Sequence, residues 1–113
     1  MSCKIINLEE GRPTVEAARS RLSQALVSAR ANRVPCVKLI HGYGSSGQGG
    51  AIKREVQLIL AEKKRMGAVR EFVPGEDFSP FYESARRAVD LCPELSRDRD
   101  YSRQNGGITV VVL

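Results

Sequence analysis

Chemistry in this chain concentrates where a short apolar run, Val37–Ile40, ends in the only histidine, His41, and enters a glycine-rich loop. Gly42, Tyr43, Gly44, Ser45, Ser46, Gly47, Gly49 and Gly50 build that loop, and Lys53 and Arg54 follow in what reads as the first turn of a helix. Glycine lets the backbone bend without a Cβ penalty, and N–H groups freed at a helix start point outward at negative charge. The passage is therefore a candidate phosphate site, with the amides of residues 44–50 as donors and His41, Lys53 and Arg54 as side-chain contacts. Cleaving a phosphodiester asks for more: a group to take a proton from the attacking oxygen, another to protonate the leaving one, and cations for the phosphoryl charge. His41 is the sole imidazole, so an acid–base pair must join it to Glu9 or Glu10, which close the first strand. A divalent ion such as magnesium on Glu9 or Glu10 is the alternative, although two carboxylates fall short of a full ligand set. Blander roles fit the same residues: His41 as a strand-end cap bonded to the loop, Glu9–Glu10 as a solvated turn, the glycines as tight packing.

The elements that must position these residues follow from periodicity. Lys4–Leu8 reads as a strand. Thr14 caps a helix whose stripe is Val15, Ala18, Leu22, Ala25, Leu26 and Ala29, stopped before Pro35. Cys36–Ile40 is mostly apolar and so central. After the loop, Ile52, Val56, Ile59 and Leu60 mark a second amphipathic helix to about Arg65, and Ala68–Val73 is a third strand. Pro74–Gly107 is a long connection. Within it Ser79–Pro80 reads as a cap with proline at the first helical position, and Phe81, Ala85, Ala88, Val89 and Cys92 predict an inserted helix. That insert either covers the domain or offers Phe78, Phe81 and Tyr82 as rings for stacking on bases. Arg97–Gly107 reads as a mobile loop, and Ile108–Leu113 as a closing strand. The expectation is one α/β domain over 1–113 with an insert at about 76–105. It is a two-layer sandwich on a four-stranded, mostly parallel mixed sheet, its last strand antiparallel.

Composition narrows the function classes. The 113 residues suffice for one core. Net charge is +5, and thirteen of the eighteen cations are arginine, whose planar fork suits phosphate; a polyanion partner, DNA or RNA, is favoured. No apolar run approaches the roughly 20 residues needed to span a bilayer, and the first residues lack a secretory leader, so a cytoplasmic location and no membrane partner are expected. Cys3, Cys36 and Cys92 are odd in number and widely spaced, so the reading is three reduced thiols packed as small hydrophobes, with no disulfide framework and no structural metal.

Gly42-Tyr43-Gly44-Ser45-Ser46-Gly47 matches the G-x-G-x-x-G pattern of dinucleotide-binding folds, which keeps a nucleotide- or dinucleotide-binding module as an alternative. It sits on the second strand, however, and the ribose would have to use Glu71 or Glu76. A Walker loop is excluded, since no Gly-Lys-Ser/Thr follows. His41-Gly42-Tyr43-Gly44, the helix openings Thr14–Ala18 and Ala51–Val56, and the closing Gly107–Leu113 together resemble the small MutS-related (Smr) domain family. The resemblance implies an α/β sandwich similar to the C-terminal domain of translation initiation factor 3. It also implies nucleic-acid binding and, in several relatives, endonuclease activity on DNA or RNA. The family's first motif, leucine–aspartate–x–histidine–glycine, corresponds here to Ile6-Asn7-Leu8-Glu9-Glu10-Gly11, with Asn7 near the aspartate and Glu10 in place of the histidine. That departure ranks binding ahead of cleavage.

Overall fold

The computed structural model describes residues 3–43 and 49–113. Its elements are β1 (Lys4–Asn7), α1 (Val15–Ala31), β2 (Cys36–Ile40), α2 (Gly49–Arg65), β3 (Glu71–Pro74), α3 (Glu83–Leu91) and β4 (Ile108–Val112), with 3₁₀ turns at Gly75–Asp77 and Pro93–Arg97. Thr14 caps α1 as its sequence demands, its hydroxyl accepting from the Ala17 N–H at 3.1 Å.

The sheet order is β1-β2-β4-β3. β1 pairs parallel with β2, while β4 runs antiparallel to both β2 and β3. The last strand is antiparallel, as expected, but it lies inside the sheet. Two of the three ladders are therefore antiparallel, which corrects the mostly parallel sheet of the sequence reading. β1, β2 and β3 still share one direction, because α1 and α2 each carry the chain back across a single face.

That face holds the larger core. Ala18, Leu22, Leu26 and Ala29 of α1 and Ile52, Val56 and Leu60 of α2 pack on Val37, Leu39 and Val111. Each fully buried leucine there contributes about 1.5–3 kcal/mol relative to exposure. The other face is covered as well: Phe78, Ala85, Ala88, Cys92 and Leu95 pack on Cys36, Val73, Ile108, Val110 and Val112. The two-layer expectation thus gives way to three layers over β2, β4 and β3, because the strands alternate apolar residues on both faces and the insert supplies the second cover. β1 lies beyond that cover and leaves Ile5 60% exposed.

Three boundaries move. β3 begins at Glu71 rather than Ala68, since 68–70 form the turn in which the Ala68 carbonyl accepts from Arg30 Nη1. α3 begins at Glu83, because Ser79–Tyr82 closes a turn in which the Tyr82 N–H bonds the Ser79 carbonyl at 3.2 Å. α2 begins at Gly49, which moves Gly49 and Gly50 from the loop into the first turn, and Lys53 and Arg54 from the first turn into the second. The stretch expected to be a mobile loop, 97–107, is tied down instead: the Ser102 N–H bonds the Phe78 carbonyl at 2.7 Å, and Tyr101 stacks edge-on against Phe78. Among the described residues no helix is long and apolar enough to cross a membrane.

Candidate nucleic-acid interface

β1, β2 and β3 finish at one end of the sheet and β4 begins there, because the register pairs Asn7 with Ile40, Ile40 with Ile108 and Pro74 with Thr109. His41, Gly42 and Tyr43 leave β2 at this end. Glu9 leaves β1 beside them, in a turn where its N–H donates to Asn7 Oδ1 at 2.9 Å. Gly42 adopts φ +82°, and a Cβ there would run into the Glu9 carboxylate, so Glu9 lies against the Gly42 backbone. Glu10 is exposed in the same turn, its carbonyl accepting from Arg21 Nη1 at 2.6 Å.

His41 is fully buried. Its Nδ1 lies 3.0 Å from the Gly42 carbonyl oxygen and its Nε2 lies 2.8 Å from Thr109 Oγ1. A carbonyl only accepts, so Nδ1 carries the proton and Nε2 accepts from the Thr109 hydroxyl. Burial holds the imidazole below its ordinary pKa; the Gly42 carbonyl and the charges of Glu76 and Glu9 pull the other way, and Lys53 adds to the lowering. Both ring nitrogens are spent inside the protein. The N–H groups of His41 and Gly42 are spent too, each donating to the Gly107 carbonyl at 3.0 Å. Gly44, Ser45, Ser46 and Gly47 lie outside the described residues, so the phosphate contacts expected of them concern a part of the chain left undescribed. Gly49 and Gly50 stand in the first turn of α2, whose N–H groups have no intrahelical partner. Lys53 Nζ bonds both oxygens of Glu76, at 3.0 and 3.1 Å, and Arg54 is exposed.

The insert completes this end, and sequence reasoning did not place it there. Lys38 is only 5% exposed, and its Nζ donates to Asp98 at 3.0 Å and Asp100 at 2.7 Å. Burial alone would lower the Lys38 pKa; the two carboxylates more than offset it and keep the ammonium charged. Asp100 also accepts from Asn105 Nδ2 at 3.0 Å, and Asn105 Oδ1 accepts from the Tyr43 hydroxyl at 2.5 Å and the Gly107 N–H at 3.0 Å. A chain of hydrogen bonds thus runs from inside β2 to Tyr43, whose ring packs on Gly107 yet stays 70% exposed. A cleft of about 510 Å³ opens here, its walls including Ile5, Glu9, Tyr43, Arg99 and Asn105. A second hollow of about 390 Å³ has Tyr43 with Arg99 and Arg103 on its walls. The sequence held one signal for this: a lysine in the middle of an apolar strand requires a carboxylate partner. Asp98 and Asp100 alternate with outward-facing Arg97 and Arg99 as such a partner segment would.

The residues nominated for other ligands divide differently. Glu71 sits at the opposite end of β3, paired with Val112, and is held by Lys64 at 2.9 Å and Arg87 at 2.8 Å. Burial alone would raise its carboxyl pKa, but these partners keep it below the ordinary range. Glu76 is at the correct end and is engaged with Lys53. Glu71, by contrast, is not placed to reach a ligand at the His41 end of the sheet. Among the described residues, no three metal-ligating side chains converge at this end of the sheet. Phe78 is buried, whereas Phe81 and Tyr82 are exposed at the start of α3.

A model of the Smr domain family matches residues 11–77, more than half of the chain. The match spans α1, β2, α2 and β3, with β1, α3 and β4 outside it. Comparison with curated proteins and with solved structures gives no match.

Proposed function

The chain belongs to the Smr domain family, and on that footing we propose that it is a nucleic-acid-binding domain whose binding surface is the sheet end around Tyr43. The observation that carries the reading is an aromatic ring 70% exposed on the wall of a hollow it shares with two guanidinium groups, Arg99 and Arg103. A base stacks on an exposed ring irrespective of sequence, while arginines bind the phosphates on either side. Such stacking needs an unpaired base, so single-stranded or looped DNA or RNA is the preferred ligand. The start of α2, with the Gly49 and Gly50 amides and exposed Arg54, extends the anion-binding path toward the glycine loop. The likeness to the C-terminal domain of translation initiation factor 3 rests on the family alone.

Cleavage by His41 with Glu9 or Glu10 is the second reading, favoured only by the Glu9 carboxylate against Gly42. It has less support, because the imidazole has no nitrogen facing solvent and binding a substrate would first have to free one. In the reading we favour, His41 is a positioning residue that fixes the start of the loop.

Anisotropy of a labelled single-stranded oligonucleotide tests this. Tyr43→Ala is expected to weaken binding by about 5- to 150-fold, the value of one stacked base, and Tyr43→Phe to retain most of the affinity. Unchanged binding by Tyr43→Ala rules the surface out. Incubating the protein with supercoiled plasmid and structured RNA, with and without divalent metal, separates the two readings: cleavage lost in His41→Ala but kept in a stability-matched Thr109→Val would install the second.

A further inference from the structure

We propose that Cys36, Cys92 and Glu94, with Cys3 turning in as the fourth ligand, form a tetrahedral binding site for a thiophilic divalent cation of the zinc class. The Cys36 and Cys92 sulfurs and a Glu94 carboxylate oxygen lie within 4.8 Å of one another, and Cys3 packs against the same cluster. The parallel register that pairs Lys4 with Val37 sets Cys3 beside Cys36 on the insert side of the sheet. Cys92 ends α3, and Glu94 stands two residues on, in the following 3₁₀ turn. Cys92 Sγ is 3.4 Å from Cys36 Sγ and 3.7 Å from Glu94 Oε1. A tetrahedral zinc ion with bonds of about 2.3 Å to sulfur separates its ligands by about 3.7 Å, close to both distances from Cys92, while the Cys3 thiol has to rotate toward the group. The sulfur–sulfur distance is far beyond the roughly 2.05 Å of a disulfide, and all three cysteines are free thiols. Cys36 and Cys92 are buried while Cys3 and Glu94 are half-buried, which gives an ion a route in from the rim.

Ordinary core packing does not call for two thiols and a carboxylate at one point, with a third thiol alongside, in an otherwise apolar layer. The same crowding argues against a nucleophilic or redox role. The Cys3 thiol beside it, together with burial, pushes Cys36 far up, and burial with the neighbouring Cys36 thiol pushes Cys92 up to about 12, so neither supplies thiolate at neutral pH. A bound cation is the agent that deprotonates such thiols. The three Cys S–H protons leave to solvent, three metal–sulfur bonds and one metal–oxygen bond form, and no electron moves.

Cobalt(II) added to the reduced protein tests the site. One equivalent is expected to give the intense visible absorption of tetrahedral cobalt with a thiolate charge-transfer band, both abolished by one equivalent of zinc. Glu94→Gln and Cys3→Ser alter the rim and leave the buried pair in place. With far-UV circular dichroism confirming their fold, each is expected to weaken cobalt binding by at least about tenfold, and Cys3→Ser to remove about a third of the charge-transfer intensity. Only the weak spectrum of octahedral cobalt, or variants that titrate like the parent, overturns the proposal. So does formation of a Cys36–Cys92 disulfide that cobalt and zinc leave unimpeded.

Discussion

At His41 the chemistry a side chain offers and the chemistry its surroundings allow diverge. The sequence puts the imidazole at the end of the second strand, and the structure agrees. What spacing could not reveal is Thr109, 68 residues away, which takes up Nε2 across the β2–β4 ladder. Thr109→Val leaves that buried nitrogen without a donor and should cost about 1–3 kcal/mol, read by urea denaturation. The pH dependence has a definite sign. The folded pKa lies below the ordinary 6.5, so the unfolded chain binds the extra proton first. This contribution is complete at neutral pH and is lost as pH falls below about 6.5 toward the folded value. Stability should therefore decline from about pH 7 to about pH 5 in the parent, and less so in His41→Gln; parallel curves would contradict the neutral buried ring.

For the elements, the helices and strands were largely legible because 3.6- and 2-residue periodicities are local. The topology was less so. β4 reads as a returning antiparallel strand, but nothing in Ile108–Val112 states that it inserts between β2 and β3. The available clue was its almost unbroken apolar run, Ile-Thr-Val-Val-Val, which fits a central strand, and all five residues are buried. The insert was hardest to read, since its role depends on contacts with residues some sixty positions away. The ion pairs of Lys38 with Asp98 and with Asp100 are such contacts. Asp100→Asn should cost about 2 kcal/mol by weakening a charge-assisted bond, whereas Lys38→Met with Asp98→Asn and Asp100→Asn together should cost less than the sum of its parts. Gly75 is a second fixed point: an added Cβ there would fall on the Asn105 carbonyl oxygen and 2.8 Å from that of Ile108. Gly75→Ala must push the 3₁₀ turn off the start of β4, at a cost of about 3 kcal/mol or more in thermal or chemical unfolding. A variant as stable as the parent would mean the two backbones are not in contact.

Taken whole, the molecule is a basic domain in which the turn after β1, the exit of β2 and the 98–107 part of the insert meet at one end of the sheet. Net charge of +5 attracts any polyanion weakly; in the reading we propose, specificity of place comes from the cleft beside Tyr43. The glycine loop drew attention in the sequence because its composition is local and unusual. Arg99 and Arg103 did not, because only the fold brings residues of the insert beside Tyr43. The direct measurement is the affinity for a labelled single-stranded oligonucleotide across a salt series, for the parent and for Arg99→Ala/Arg103→Ala. Each phosphate neutralised on a single strand contributes about −0.7 to the slope of log K against log salt, so the parent should show about −2 and the double variant a slope shallower by about 1.4. Absence of binding at low salt, or a slope the double substitution leaves unchanged, would contradict the placing of nucleic acid on this surface.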